Sequence, residues 1–211
     1  MKRTLAAVVA VLSLTAACGG GSDDKTADPP ASTTTPTATP TTATPTTTAT
    51  PAVPATAAQL VVSPGTISAA KVGMTQSQAA ATKLFDADVA TGDDGCQAVV
   101  PLRWKKAYGT VVDVATDESK TIRSMGILGA GPKTPEGIGI GSTLAQVRSA
   151  YASLTPITDA GYGQSGAYVS SGTRWLGFLF NEKPKAATDS SKVTFMEVTE
   201  GEKPGLMRDG C

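Results

Sequence analysis

The sequence contains no histidine. That absence removes Ser-His-Asp and Cys-His nucleophilic machinery, and every metal site built on imidazole. Aromatic side chains are scarce: two Trp, four Tyr and four Phe make up 5% of the chain, so a core must rest mainly on Val, Ile, Leu, Ala and Met. An excess of either charge is missing too, since Lys plus Arg and Asp plus Glu both number 18. Such a balance leaves no basic footprint for nucleic acid and no polybasic patch for anionic lipid. There is no Gly-x-x-x-x-Gly-Lys-Ser/Thr phosphate loop and no Gly-x-Ser-x-Gly nucleophile elbow. The cysteines are three, Cys18, Cys96 and Cys211, too far apart for a Cys-x-x-Cys redox pair. No cofactor is expected from this inventory.

The N-terminus is more informative. Met1-Lys2-Arg3 is a basic start, and residues 4–17 (TLAAVVAVLSLTAA) form an unbroken apolar and small run. The run falls short of the about 20 residues a membrane span needs, and residues 1–17 read as a secretory signal. It closes on Leu14-Thr15-Ala16-Ala17-Cys18, followed by Gly19-Gly20-Gly21. This resembles a bacterial lipobox, with Thr15 where leucine is usual and Leu14 one place earlier. The resemblance implies cleavage after Ala17, diacylglycerol with palmitate-type chains on the Cys18 thiol, and attachment to the outer face of the cell membrane. Two acyl chains suffice for stable anchoring, at about 0.8 kcal/mol per buried CH₂. Thr15 and Ala17 also suit an ordinary signal-peptidase site, which would leave Cys18 as a free thiol. Cysteine arithmetic favours lipid: with Cys18 modified, Cys96 and Cys211 remain as an even pair for a disulfide in an oxidising compartment. The loop it closes is long, so chain entropy alone contributes about 4–5 kcal/mol. The alternative is two free thiols. Loss of Lys2 and Arg3 with the signal leaves 16 basic against 18 acidic residues, a net charge of −2.

Residues 18–58 comprise the anchor cysteine and a segment of Thr, Pro, Ala, Ser and Asp with no apolar period. Such a composition buries no core. Frequent proline extends it toward polyproline II, so roughly 40 residues reach on the order of 100 Å at about 3.1 Å each. The segment resembles an O-glycosylated stalk, and equally a plain linker. The folded domain is expected over residues 59–211.

Within that domain Gly73-Met74-Thr75-Gln76-Ser77-Gln78 and Gly141-Ser142-Thr143-Leu144-Ala145-Gln146 share the form Gly-x-Thr-x-x-Gln. The pattern predicts a capped helix start, with Thr75 or Thr143 binding a backbone N–H and Gln78 or Gln146 reaching back to the cap. Leu144, Val147 and Tyr151 fall on one helical face; Ala80 with Leu84 and Ala81 with Phe85 do so less cleanly. Strand-like segments follow each helix, at 97–104, 108–115 and 121–128, then at 167–170, 174–180 and 192–199. The fold class predicted is α+β: two α-β-β-β repeats, about 66–130 and 134–202, forming an antiparallel sheet with helices on one face. The segment Lys133-Thr134-Pro135-Glu136-Gly137-Ile138-Gly139-Ile140-Gly141-Ser142-Thr143 is similar to one in actinobacterial secreted lipoproteins of unassigned function. The two-unit layout resembles β-lactamase-inhibitor-protein-like and SmpA/OmlA-like envelope domains. The inhibitor family binds through an aromatic-rich concave sheet, and this chain is poor in aromatics.

Candidate chemistry is thin. Asp86, Asp88, Asp93 and Asp94 crowd FDADVATGDDGC, but their spacing does not fit the twelve-residue calcium loop, so a solvated loop is expected and no metal. Glu136, Glu182, Glu197 and Glu200 are the carboxylates available for glycan hydrolysis, with nothing local pairing them. In Ser190-Ser191-Lys192, adjacent strand positions face opposite ways. The glycines of Gly137-Ile138-Gly139-Ile140-Gly141 read as a turn into the capped helix. Trp104 and Trp175 sit in comparable places of the two units and form the candidate binding surface. The expected function is a non-catalytic, lipid-anchored module binding an envelope protein or glycan. The alternatives are a cell-wall polymer hydrolase with paired carboxylates, or a structural envelope component.

Overall fold

A computed structural model describes residues 52–90 and 99–207. Cys18, Cys96, Cys211, Asp93 and Asp94 lie outside the described residues, as do the signal and most of the linker. The described residues before Gln59 already contact the domain. The Tyr108 hydroxyl donates to the Pro54 carbonyl, which fastens the end of the Pro-rich segment to the domain. A 3₁₀ turn, Ala57–Gln59, follows, and Gln59 Oε1 accepts from the backbone of Ala55 (2.7 Å) and Thr56 (3.1 Å). Thr56 and Gln59 thus give a third Thr-x-x-Gln, hidden by its linker-like composition.

The chain is a mixed α+β structure dominated by antiparallel strands. A small meander comes first: β1 (Val62–Ser63), β2 (Thr66–Ile67) and β3 (Ala70–Lys71). Helix α1 (Gln76–Ala81) leads into β4 (Phe85–Ala90), β5 (Val99–Trp104), β6 (Val112–Thr116) and β7 (Ile122–Ile127). Helix α2 (Leu144–Ala150) leads into β8 (Thr158–Gly161), β9 (Gln164–Ser171), β10 (Arg174–Phe180) and β11 (Val193–Glu200). Four strands follow each helix, not three. The extra strand of the first set is the acidic segment FDADVA, which buries Phe85, half-buries Val89, leaves Asp86, Ala87 and Asp88 exposed, and pairs Asp86 with Arg103 of β5. Strands β4 and β5 form their own hairpin; the six-stranded sheet runs β6-β7-β11-β10-β9-β8, every pair antiparallel.

Both helices open on a full capping box. Thr75 accepts from Gln78 N and Gln78 Oε1 accepts from Thr75 N; Thr143 and Gln146 do the same at 3.2 and 2.8 Å. Each cap contributes about 1 kcal/mol. The glycine two residues earlier has a positive φ in both cases, 84° at Gly73 and 87° at Gly141. That conformation carries almost no steric penalty without a Cβ. It turns the lead-in so that Gly73 N donates to Ile122 O and Ile122 N to Met74 O. In the second unit Gly141 N donates to Val193 O and Val193 N to Ser142 O. Each helix start is therefore stitched to the first residue of the fourth strand that follows it.

The core lies on the helix side of the sheet. Leu176, Phe178, Met196, Val198, Met125 and Ile127 point inward at alternate positions and meet Ala79 of α1 with Leu144 and Val147 of α2. Each large side chain so buried contributes about 1.5–3 kcal/mol. Helix α1 ends at Ala81, so Leu84 and Phe85 are not on its face; Leu84 is buried in the connection and Phe85 begins β4. A smaller cluster of Tyr168, Leu179, Phe195 and Leu206 sits on the opposite face.

Candidate binding face

The outer face of the sheet follows from strand register. Asp113, Gly126, Glu197, Gly177 and Tyr168 lie abreast across five strands, and Leu179 stands beside Gly166. The glycines leave a depression. A Cβ on Gly166 would meet Leu206 Cδ1 at 2.6 Å, and one on Gly177 would meet Leu206 Cδ2 at 2.8 Å and Pro204 Cβ at 3.1 Å. The chain fills that depression itself: after β11 it reverses at Gly201 (φ 82°) and residues 203–207 return across the face as a strap. Leu206 is the knob in this socket, and its N–H donates to Glu197 Oε2 at 2.8 Å. Glu197 is 4% exposed. Lys203 Nζ lies 4.4 Å above the Tyr168 ring. Burial raises the Tyr168 phenol pKa, the Glu197 charge adds to the rise, and a hydrogen bond with Thr158 opposes it.

The strap separates two grooves. One, of about 630 Å³, is charged, with Arg123, Glu197, Glu200, Glu202 and Lys203 in its lining. The other, of about 340 Å³, is uncharged. Its floor is Leu179, Phe195 and Leu206, and its rim is Leu128, Tyr162, Gln164, Asn181, Thr194 and Met207. Among the described residues five large apolar side chains are exposed, and three of them stand on this rim: Leu128 at 48%, Tyr162 at 85% and Met207 at 41%. The Gln164 and Asn181 amides are joined, Nε2 to Oδ1, at 2.8 Å.

The tryptophan pair does not form this surface. Trp104 is 2% exposed, tilted at 40° against Phe85 with ring centroids 4.3 Å apart and edge-on to Tyr108, with Nε1 donating to Asp113 O. Its charged neighbours Arg103 and Lys105 do not bring it to solvent, because strand alternation turns the indole inward. Nor are the two positions comparable: Trp104 ends the second strand after its helix, and Trp175 lies near the start of the third. Trp175 is half-buried against the outer cluster, and its carbonyl accepts from Gly65 N.

The remaining candidates are dispersed. Thr75, Gln78, Thr143 and Gln146 are committed to their caps. Asp88 is ion-paired with Lys120 at 3.2 Å, and among the described residues no three His, Cys, Asp or Glu side chains converge as a metal site. Glu200 faces Arg174 at 3.5 Å, and the Ser191 hydroxyl accepts from Thr188 N. Glu136 accepts from the Tyr151 hydroxyl at 2.6 Å. That bond lowers the Glu136 pKa, while burial first and Glu136 second raise the Tyr151 phenol. A carboxylate with a depressed pKa stabilises the fold above its unfolded value and loses that contribution as pH falls through the folded one. Tyr151→Phe is therefore expected to cost less than about 1 kcal/mol near neutral pH, because solvent reaches Glu136. The difference should shrink as pH falls through the lowered Glu136 pKa, in urea midpoints of the two proteins. Phenylalanine keeps the ring contact with Phe178, so a cost independent of pH would show that the hydroxyl does not act through the Glu136 charge.

No family model and no curated protein matches the chain. Among solved structures it is similar to the uncharacterized protein yfeY from Escherichia coli, at 12% identity and a TM-score of 0.39, covering 61% of this chain and 90% of that one. A likeness of that degree carries no argument about function.

Proposed function

We propose that this protein is an exported lipoprotein, held on the outer face of the cell membrane through Cys18, whose folded domain binds an envelope protein or glycan without catalysing a reaction. On this reading residues 18–58 are the anchor and tether, the end of which lies against the domain, and the domain is two tandem helix-plus-sheet units. The matching bonds from Gly73 to Ile122 and from Gly141 to Val193 support the two-unit reading. The binding role rests on one observation: Leu128, Tyr162 and Met207 stand exposed around one groove on the outer face. Apolar surface gathered in this way, rimmed by polar groups, is the usual mark of a binding site.

The test is photo-crosslinking of the anchored protein in its own envelope, with benzoylphenylalanine in place of Tyr162. A discrete adduct is expected, weakened by Leu128→Asp. A control probe replaces exposed Glu118 in the β6–β7 turn. Equal labelling from both positions would defeat the binding face. Intact mass of the same preparation reads the anchor: acyl mass on an N-terminal Cys18 is expected, and a bare thiol would remove it.

A further inference from the structure

We propose that the groove beside Tyr162 is a saccharide subsite that takes an uncharged sugar ring of an envelope glycan. The inference rests on the binding reading above and names its ligand class. Charge comes first. No lining residue of this groove is ionised, whereas the groove across the strap holds both signs. A charged ligand meets no counter-charge in the groove lining, Lys183 standing outside it beside Gly163, and a neutral one pays no penalty for desolvating charge in the lining.

The polar groups match a sugar edge. The Gln164–Asn181 bond uses one atom of each amide, leaving the Gln164 carbonyl oxygen and the Asn181 amino group without a partner among the described residues. One acceptor and one donor on the groove lining are groups that ring hydroxyls, each of which both donates and accepts, can satisfy. Exchanging O and N in both amides leaves one donor and one acceptor again, so the match does not depend on that assignment. The apolar groups match a sugar face. Tyr162 is held at φ 50° between Gly161 at 87° and Gly163 at 78°, a left-handed turn in which a bulky residue is costly. That turn presents the phenol to solvent at 85% exposure. An aromatic face packs against the C–H face of a sugar ring, and the phenol keeps a polar tip for its rim. A volume of about 340 Å³ lies at the small end of ligand pockets, which run from about 300 to 1,000 Å³. It has room for a ring or two.

The experiment titrates the ¹⁵N-labelled full chain with the neutral tetrasaccharides N-acetylchitotetraose, maltotetraose, mannotetraose and galactotetraose. At least one is expected to shift the Asn181 side-chain NH₂ resonances saturably. Tyr162→Asn, which tolerates the left-handed turn, should weaken that sugar by about tenfold or more, and Tyr162→Phe should stay within about twofold. Absence of a saturable shift with all four at about 10 mM overturns the assignment, as does an unchanged Tyr162→Asn. A protease-sensitive adduct at position 162 in the envelope, without any sugar shift, overturns the saccharide and leaves the binding face standing. Loss of both signals ends both.

Discussion

Trp104→Ala is expected to lower stability by about 3–5 kcal/mol, a cost typical of emptying a buried aromatic site. The reason is particular to this fold. Strands β4 and β5 are not laddered onto β6, so the hairpin needs another connection to the main sheet. Trp104 supplies it: the indole N–H donates to Asp113 O on β6 at 2.8 Å, while the ring fills the space between Phe85 and Tyr108. Alanine loses the area, the hydrogen bond and the ring contacts together. Trp104→Phe retains most of the area and removes this one hydrogen bond, a cost of about 0.5–1.5 kcal/mol. Trp175→Ala is expected to cost less than Trp104→Ala, since Trp175 is only half-buried. Urea unfolding by linear extrapolation ranks the three. A Trp104→Ala protein within about 1 kcal/mol of the wild type would show that the hairpin is held some other way.

The same residue shows why sequence reads some of this fold and not the rest. Arg103, Lys105 and Lys106 surround Trp104 in sequence, and composition alone suggests solvent. Only the pairing of β5 decides which neighbours share its face. Helix starts are different: Thr75 with Gln78, and Thr143 with Gln146, are bonded within four residues, so the signal is local and readable. Strands β9, β10 and β11 are readable in part because the apolar alternation is strong. Strand β4 hides because its Asp residues look like a loop, although Phe85 and Val89 sit in period two with β5 opposite. The groove is the least readable feature. Leu128 follows β7, Tyr162 lies in the β8–β9 turn, Asn181 follows β10 and Met207 lies in the strap, and only sheet order 7-11-10-9-8 brings them together. Its one local trace is Gly161-Tyr162-Gly163, an aromatic between two glycines.

The strap that borders this groove makes the second large prediction. Leu206→Ala should cost about 2–4 kcal/mol, because Leu206 is 1% exposed and fills the socket over Gly166 and Gly177. Gly177→Ala sets two effects against each other. Alanine restricts the unfolded chain, which stabilises by about 0.4–1 kcal/mol at a compatible backbone position. Its Cβ would also lie 2.8 Å from Leu206 Cδ2 and 3.1 Å from Pro204 Cβ, and overpacking of this kind costs about 1–3 kcal/mol. Leu206 is 1% exposed and sits enclosed between the strap and the sheet, so it has little room to swing aside. Overpacking therefore wins, and the single variant is destabilised. In the Leu206→Ala background the nearest obstacle is gone, while Pro204 Cβ and Tyr168 Cδ1 stay at 3.1 Å, so Gly177→Ala should become less destabilising than in the wild type. The two substitutions are coupled through one contact, and the double variant should lose less than the sum of the singles. Additive losses would mean that Gly177 is there for the sheet and not for the strap. Leu206 amide exchange separates the two cases further: Gly177→Ala should speed it by loosening the bond to Glu197, while leaving the inner-strand amides slow.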